Sequence, residues 1–339
     1  MAKTPSVESE IETARAAAAE LRVAETGLLE QLSAFHKAQD MRAADRHEAD
    51  GQAFDALKAR KDSAEKALAN LVLRLSSEID AAYHGFEAAS ERTAYENFVA
   101  FFSKSKAAKL QNARLRKAAT AQTLKQLLIN GDAVAEILAR EKAAALDLQK
   151  LCEPPLIALM QRRRELAASI EEGRHRLKEV NATLATVQWK LGSVTDETRR
   201  TTMEAEREAL SLDLEKHESA YQTLRSGHES LDRYVLLHEA FAQGATHQLS
   251  AHSLLYNKLA AEMERGIQLY AAVSLSLETL LSEISRKASH PHLAELLTIH
   301  AHNTISMDDI VRRKQQIDEA FMRRYIVEKG RVAAIANTP

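Results

Sequence analysis

The reactive side chains of this sequence are mostly spaced in ways that do not build a catalytic site. Ser103-Lys104-Ser105-Lys106 matches the Ser-x-x-Lys pattern of a serine nucleophile with a lysine base, but it falls in a lysine-rich segment where such a match is common by chance. The sequence has no glycine-rich phosphate loop, no nucleophile elbow and no paired-histidine zinc helix. We therefore predict that the protein is not an enzyme, and we assign no catalytic residue and no cofactor.

The histidines and the cysteine are the other side chains that could bind a metal or react. A helix brings two ligands together when they are three or four residues apart, and no two of the 13 histidines have this spacing. The best remaining metal candidate is the cluster His290, His292, His300 and His302, with Glu295 nearby. Hydrogen-bonded surface or interface histidines are the favoured interpretation, so no metal is predicted. The single cysteine, Cys152, lies on an apolar stripe and is predicted to be a small buried side chain.

One segment combines aromatic rings with an excess of positive charge. Its aromatic members follow helical spacing and its cations come directly after them, with no acidic residue between Glu96 and Asp132. This combination is typical of a helix that inserts rings into a membrane interface while cations meet lipid phosphates. The residues predicted to contact a membrane or a partner are Tyr95, Phe98, Phe101, Phe102, Lys104, Lys106, Lys109, Arg114, Arg116 and Lys117. The alternative is an aromatic cluster facing a helical core, followed by a basic helix docked on the acidic remainder of the chain.

The composition indicates the elements that hold these residues. Glycine and proline are scarce, at 10 and 5 of 339 residues, the charged fraction is 28% and aromatics are only 5%, which is typical of long helices. We predict an all-α fold, an elongated antiparallel helical bundle or coiled coil with very long helices and no sheet. The net charge of −2 gives the whole chain no long-range attraction to nucleic acid. The single cysteine and the absence of an apolar signal segment favour a cytoplasmic location, and the membrane alternative adds a peripheral one.

The strongest periodic pattern is a heptad stripe from Leu210 to Ile284, here called the long seam. Its polar or small exceptions are four histidines and Gly266. A helix with such a stripe needs a partner to bury it, so the histidines are expected to be partly buried and to form a pH-sensitive seam. These histidines are His217, His228, His238 and His252.

Breaks in the periodicity divide the chain into predicted segments. Residues 1–104 are expected to form long helices with a bend near 40–52, residues 105–131 a basic helix, and residues 289–339 short C-terminal helices and a tail. Residues 132–288 are expected to form a long antiparallel coiled-coil hairpin, because the turn at Gly192-Ser193 is too short for anything but a reversal.

Three local signals predict helix ends. Ser6 is placed to cap a first helix whose apolar stripe, from Val7 to Phe35, is interrupted only by Glu25. Asn130-Gly131 is expected to end a helix, with Asp132 capping the next one. Pro291 is expected to lie in the first turn of a short helix that reaches about His302.

Two functions fit these patterns. The first is a non-enzymatic helical scaffold that acts through coiled-coil self-association or through a helical protein partner. The second is a peripheral membrane-binding protein, of the membrane-remodelling or helical pore-forming type, that uses residues 95–117. A nucleic-acid-associated coiled coil is disfavoured because no recognition fold is present, and no small-molecule substrate is predicted.

Overall fold

The structure is a computed structural model that describes residues 6–37, 44–90, 93–117, 120–274, 277–287, 290–302 and 307–327. Within these ranges the regular elements are helices and no strand occurs, which confirms the all-α prediction. In chain order the helices are α1 (Val7–Lys37), α2 (Ala44–Ser90), α3 (Ala94–Phe102), α4 (Lys104–Lys117), α5 (Thr120–Leu191), α6 (Glu197–Ser274), α7 (Leu277–Lys287), α8 (Pro291–His302) and α9 (Met307–Met322). A π-helical turn, Arg323–Val327, follows α9.

The first helix confirms the stripe predicted from its sequence. The hydroxyl of Ser6 accepts a hydrogen bond from the backbone N–H of Ser9 at 3.2 Å, as expected of an N-cap. The stripe positions from Val7 to Leu32 are all buried, and the buried set includes the carboxylate residue Glu25. Phe35 belongs to the same predicted stripe, but its side chain lies outside the described part of the structure. The period of the apolar residues therefore located the packing face of α1.

The long seam is buried over much of its length. From Leu231 to Ile284 its described side chains are buried or partly buried, whereas Leu210, Leu214 and Tyr221 remain only partly covered. The residues of this stripe divide between α6 and α7, which the structure bounds at Glu197–Ser274 and Leu277–Lys287. The two portions of the seam thus differ in how completely they are covered.

Glycine at the α5–α6 contact serves close packing and does not end a helix. The prediction that Asn130-Gly131 ends a helix is wrong, because α5 continues through both residues. A Cβ at Gly131 would lie 3.0 Å from Met263 Cγ, and a Cβ at Gly266 would lie 3.1 Å from Leu128 Cδ2. Each glycine therefore removes a side chain where the opposite helix approaches, which is a common use of this residue.

Asp132 caps a helix that is distant in sequence. Its carboxylate accepts a hydrogen bond from the backbone N–H of Leu293 at 2.7 Å and lies 3.3 Å from His290 Nδ1. Asp132 was predicted to cap the helix that follows it directly, and the structure corrects this, because the residue lies inside α5 and serves the N-terminus of α8. The prediction that Pro291 begins a short helix ending near His302 is confirmed.

Packing groups the chain into two compact units, each assembled from segments that are far apart in sequence. The first comprises Met1–Val23, Ala59–Leu146 and Thr246–Pro339, and the second comprises Ala24–Lys58 and Asp147–Ala245. The core of the first unit combines apolar side chains of α1, α2, α5, α6, α7, α8 and α9. Contacts between segments that are distant in sequence thus bury the apolar faces of these helices.

The second unit contains an antiparallel pairing of α5 with α6. Leu159 and Leu166 pack with Leu231 and Val235, and the guanidinium of Arg163 lies 2.6 Å from a carboxylate oxygen of Asp232. Further along the pair, Tyr221 and Leu224 approach Gly173. Gly192 and Ser193 form the turn between the two helices. In the same unit the predicted burial of Cys152 is confirmed, because its side chain is only 1% exposed.

Candidate functional site

Helix α3 is a short element that is defined at both ends by capping. The hydroxyl of Thr93 accepts a hydrogen bond from the N–H of Glu96 at 3.2 Å, and the carboxylate of Glu96 accepts one from the N–H of Thr93 at 2.9 Å. This reciprocal arrangement is a capping box. At the other end the N–H of Ser103 donates to the carbonyl of Val99 at 2.8 Å. These bonds fix the backbone of a helix that is only nine residues long.

The aromatic side chains of α3 face away from the described core. Their exposed fractions are 66% for Tyr95, 63% for Phe98, 85% for Phe101 and 72% for Phe102. The ring of Phe102 contacts those of Phe98 and Phe101, with centroid separations of 5.2 and 5.4 Å. We call these four residues the aromatic patch. Clustered exposed rings are unusual on a protein surface and mark interaction sites, whereas the core-facing alternative requires them to be buried.

Helix α4 places the cations next to the aromatic patch. Ser103 separates the two helices and caps α4 through a hydrogen bond from the N–H of Lys106 to its hydroxyl at 3.3 Å. The serine of the Ser-x-x-Lys string therefore acts here as a helix cap. Lys104, Lys106 and Lys109 are exposed. The helices α3 and α4 also contact each other, which keeps the rings and these ammonium groups together.

The remaining cations of the basic segment do not all belong to this surface. The side chains of Arg114, Arg116 and Lys117 lie outside the described part of the structure. Lys125 lies in α5, where its ammonium pairs with the carboxylate of Glu283 at 2.6 Å. The surface described here is therefore the aromatic patch together with Lys104, Lys106 and Lys109, and we call it the α3–α4 surface.

The seam histidines occupy two kinds of environment. His217 and His228 are partly buried and lie 3.5 and 3.2 Å from the carboxylates of Asp213 and Asp232, one turn earlier or later on α6. His238 is fully buried. His252 is 5% exposed, and burial is the largest cause of the lowering of its pKa to about 4, with the charges of Arg324 and Lys61 adding to it.

The histidines near Pro291 are directed to separate partners. His290 lies beside Asp132, His292 contacts the hydroxyl of Tyr256 at 3.3 Å, and His300 contacts the side-chain amide of Gln268 at 2.9 Å. The side chain of His302 is outside the described residues. In the described ranges, no group of three or more histidine, cysteine, aspartate or glutamate side chains is placed to hold a metal ion.

Sequence reasoning missed a buried ionic network. Glu262 is fully buried on α6, and its carboxylate accepts hydrogen bonds from Ser76 at 2.8 Å and Lys258 at 3.4 Å and pairs with Lys314 at 2.7 Å. Asp318 of α9 pairs with the same two lysines. Burial acts to raise the pKa of Asp318, but its bonds to Lys258 and Lys314 outweigh burial and hold that pKa below its ordinary value. The spacing of apolar residues along a helix does not indicate which charged residues are buried.

Among the described helices, none carries an apolar stretch of the length needed to cross a bilayer. The chain matched no protein-family model, no curated protein and no solved structure.

Proposed function

We propose that this chain is a non-enzymatic helical protein that binds the surface of anionic membranes through the α3–α4 surface. The observation that carries the proposal is the exposure of the aromatic patch on a well-capped helix, directly beside three exposed lysines. Rings of this kind insert at the level of the lipid headgroups, while ammonium groups meet the phosphates. The absence of acidic residues between Glu96 and Asp132 leaves this attraction uncancelled along the segment.

The two parts of the surface are expected to contribute differently. Each lysine near an anionic membrane contributes about 1 kcal/mol of electrostatic attraction, which salt screens. Ring insertion depends on apolar burial and is much less sensitive to salt. Binding should therefore combine a salt-dependent part from the lysines with a salt-resistant part from the aromatic patch.

Vesicle co-sedimentation over a salt series tests this proposal. Phe98→Ser with Phe102→Ser should weaken binding to phosphatidylserine-containing vesicles at every salt concentration. Lys104→Glu with Lys106→Glu should weaken it mainly at low salt. Because these side chains are exposed, each change should alter the free energy of unfolding by no more than about 0.5 kcal/mol. A melting temperature close to that of the wild type would separate lost binding from lost folding.

Matched control variants are available in the second unit. Leu236→Ser removes an apolar side chain that is 64% exposed, and Lys178→Glu with Lys190→Glu makes the same charge change at exposed positions of α5. Both controls should bind vesicles like the wild type. If the wild type does not bind anionic vesicles, or binds duplex DNA more tightly at equal salt, the membrane proposal is wrong.

A second candidate function is self-association as a scaffold. It is favoured by the partial burial of Leu210 and Leu214 in the long seam. A second heptad stripe lies on α5, and its members Leu177 and Leu184 are also only partly buried. Two helices cover a heptad stripe less completely than a bundle of three or four does. A second copy of the same chain, with the same stripes, is the occupant that we propose.

A further inference from the structure

The first unit contains a cavity whose lining includes no residue of the α3–α4 surface. It has a volume of about 410 Å³ and is bounded by α1, α2, α5 and α6. This size falls in the range of about 300–1,000 Å³ that is usual for sites of small ligands. The cavity exists because alanines occupy most of the apolar lining positions of α1 and α2. These alanines are Ala14, Ala17, Ala18, Ala64 and Ala67.

Each carboxylate that lines the cavity is paired with an arginine. Glu10 pairs with Arg74 at 2.8 Å, Glu65 with Arg324 at 3.5 Å and Glu141 with Arg22 at 3.3 Å. The ammonium of Lys61 donates a hydrogen bond to the side-chain oxygen of Gln248 at 3.1 Å. A ligand with a formal charge would compete with these pairs, whereas an uncharged ligand would leave them intact. The lining therefore favours a neutral molecule.

His252 brings a buried polar atom without a hydrogen-bond partner to the cavity. The side chain lines the cavity, is 5% exposed and hydrogen-bonds to the backbone of Glu141. Its Nδ1 atom has no hydrogen-bond partner among the described residues. The lowered pKa keeps the imidazole neutral near pH 7, so a ring that donates through Nε2 presents Nδ1 as an acceptor. Buried acceptors are normally satisfied, so a missing partner indicates a ligand or water that donates there.

We propose that this cavity binds a small, uncharged and mainly apolar molecule whose hydroxyl or amide N–H donates a hydrogen bond to Nδ1 of His252. The alanines and Leu68 and Leu71 would enclose the apolar body of the ligand. The hydrogen bond would select molecules that carry a donor over analogues that lack one, because an analogue leaves a buried acceptor unpaired. This site was not predicted from the sequence, where His252 was assigned to a pH-sensitive seam.

A pair of probes, one with a hydrogen-bond donor and one without, tests the proposal. 2-Naphthol and 2-methoxynaphthalene share a ring system, and only the first can donate a hydrogen bond. Titration followed by probe fluorescence should give saturable binding to the full chain, with 2-naphthol at least tenfold tighter. His252→Phe should abolish this preference. Equal affinity of the wild type for both probes, or an unchanged preference in the variant, would overturn the proposal.

Variants that change the cavity volume provide an independent check. Ala17→Leu fills a lining position that is only partly buried, so the fold should tolerate it, and both probes should bind at least tenfold more weakly. Ala16→Leu, at the neighbouring exposed position outside the lining, should leave both affinities unchanged. Phe98→Ser with Phe102→Ser should also have no effect, because the probes are expected in the cavity and not on the aromatic patch. Loss of binding in this last variant, or none in Ala17→Leu, would place the probes elsewhere and refute the site.

Discussion

At the scale of single residues, burial gives chemically similar side chains different properties. His217 and His228 lie beside aspartates on the same helix and remain partly exposed, whereas His252 is enclosed. An imidazole loses solvation of its protonated form when it is buried, and this is the largest cause of the low pKa of His252. Glu65 opposes the shift, and Arg324 and Lys61 add to it. The pH response of the seam is therefore expected to centre on this histidine.

The stability of the protein should fall in mildly acidic solution because of His252. Between its unfolded pKa of about 6.5 and its folded pKa of about 4, the unfolded chain binds a proton that the folded chain does not. The free energy of unfolding should therefore decrease by about 2 kcal/mol from pH 7.5 to pH 5 on account of this residue. Denaturant unfolding of the wild type and His252→Phe at both pH values measures the difference. An identical loss in the two proteins would assign the pH dependence to other groups.

At the scale of helices, α9 is held by ion pairs between its partly buried charges and the buried charges of α6. Lys314 of α9 pairs with Glu262 of α6, and Asp318 of α9 pairs with Lys258 of α6. Ser76 of α2 donates a hydrogen bond to Glu262. Burial of ions is costly unless each has a partner, so these residues stabilise α9 as a group more than they do singly. The short helix α3 depends instead on caps at its ends, which leaves its aromatic side chains exposed.

Removal of the shared carboxylate should strongly destabilise the bundle. Glu262→Ala leaves Lys258 buried with fewer partners and should lower the free energy of unfolding by about 3–5 kcal/mol. Glu204→Ala breaks an exposed pair with Arg200 on the same helix and should cost less than about 1 kcal/mol. Thermal or urea unfolding of both variants provides the comparison. Similar costs for the two changes would contradict the role assigned to the network.

At the scale of the whole molecule, the chain builds each of its two units from segments that are distant in sequence. The helices α1, α2, α5 and α6 therefore contribute residues to both units. Within the second unit, Leu184 of α5 and Leu210 and Leu214 of α6 are only partly buried, and Trp189 and Leu212 are among the exposed apolar side chains. These exposed groups are where a second copy would gain most by packing.

Self-association should therefore depend on this part of the second unit. Light scattering with size-exclusion chromatography over a concentration series should give a dimer or larger species for the wild type. Trp189→Gln with Leu212→Gln should shift it toward the monomer with little change in melting temperature, because both side chains are exposed. Phe98→Ser with Phe102→Ser is the matched control and should not change the mass. A wild type that remains monomeric at all concentrations would exclude the scaffold function.

The sequence by itself determined the features that depend on local periodicity and local chain chemistry. The apolar stripe of α1, much of the long seam and the start of α8 at Pro291 were predicted correctly, because heptad spacing, capping serines and proline act within a few residues. No strand was predicted because the composition of the chain is typical of long helices.

Only the tertiary structure decided which other segments pack against each helix. Gly131 has the local pattern of a helix end, yet it provides room for Met263, and Asp132 caps a helix more than 150 residues later. The exposure of the aromatic patch and the burial of Glu262 likewise depend on which other segments pack nearby. A period identifies the apolar face of a helix, but it carries no information about the partner that covers that face or the polar groups enclosed with it.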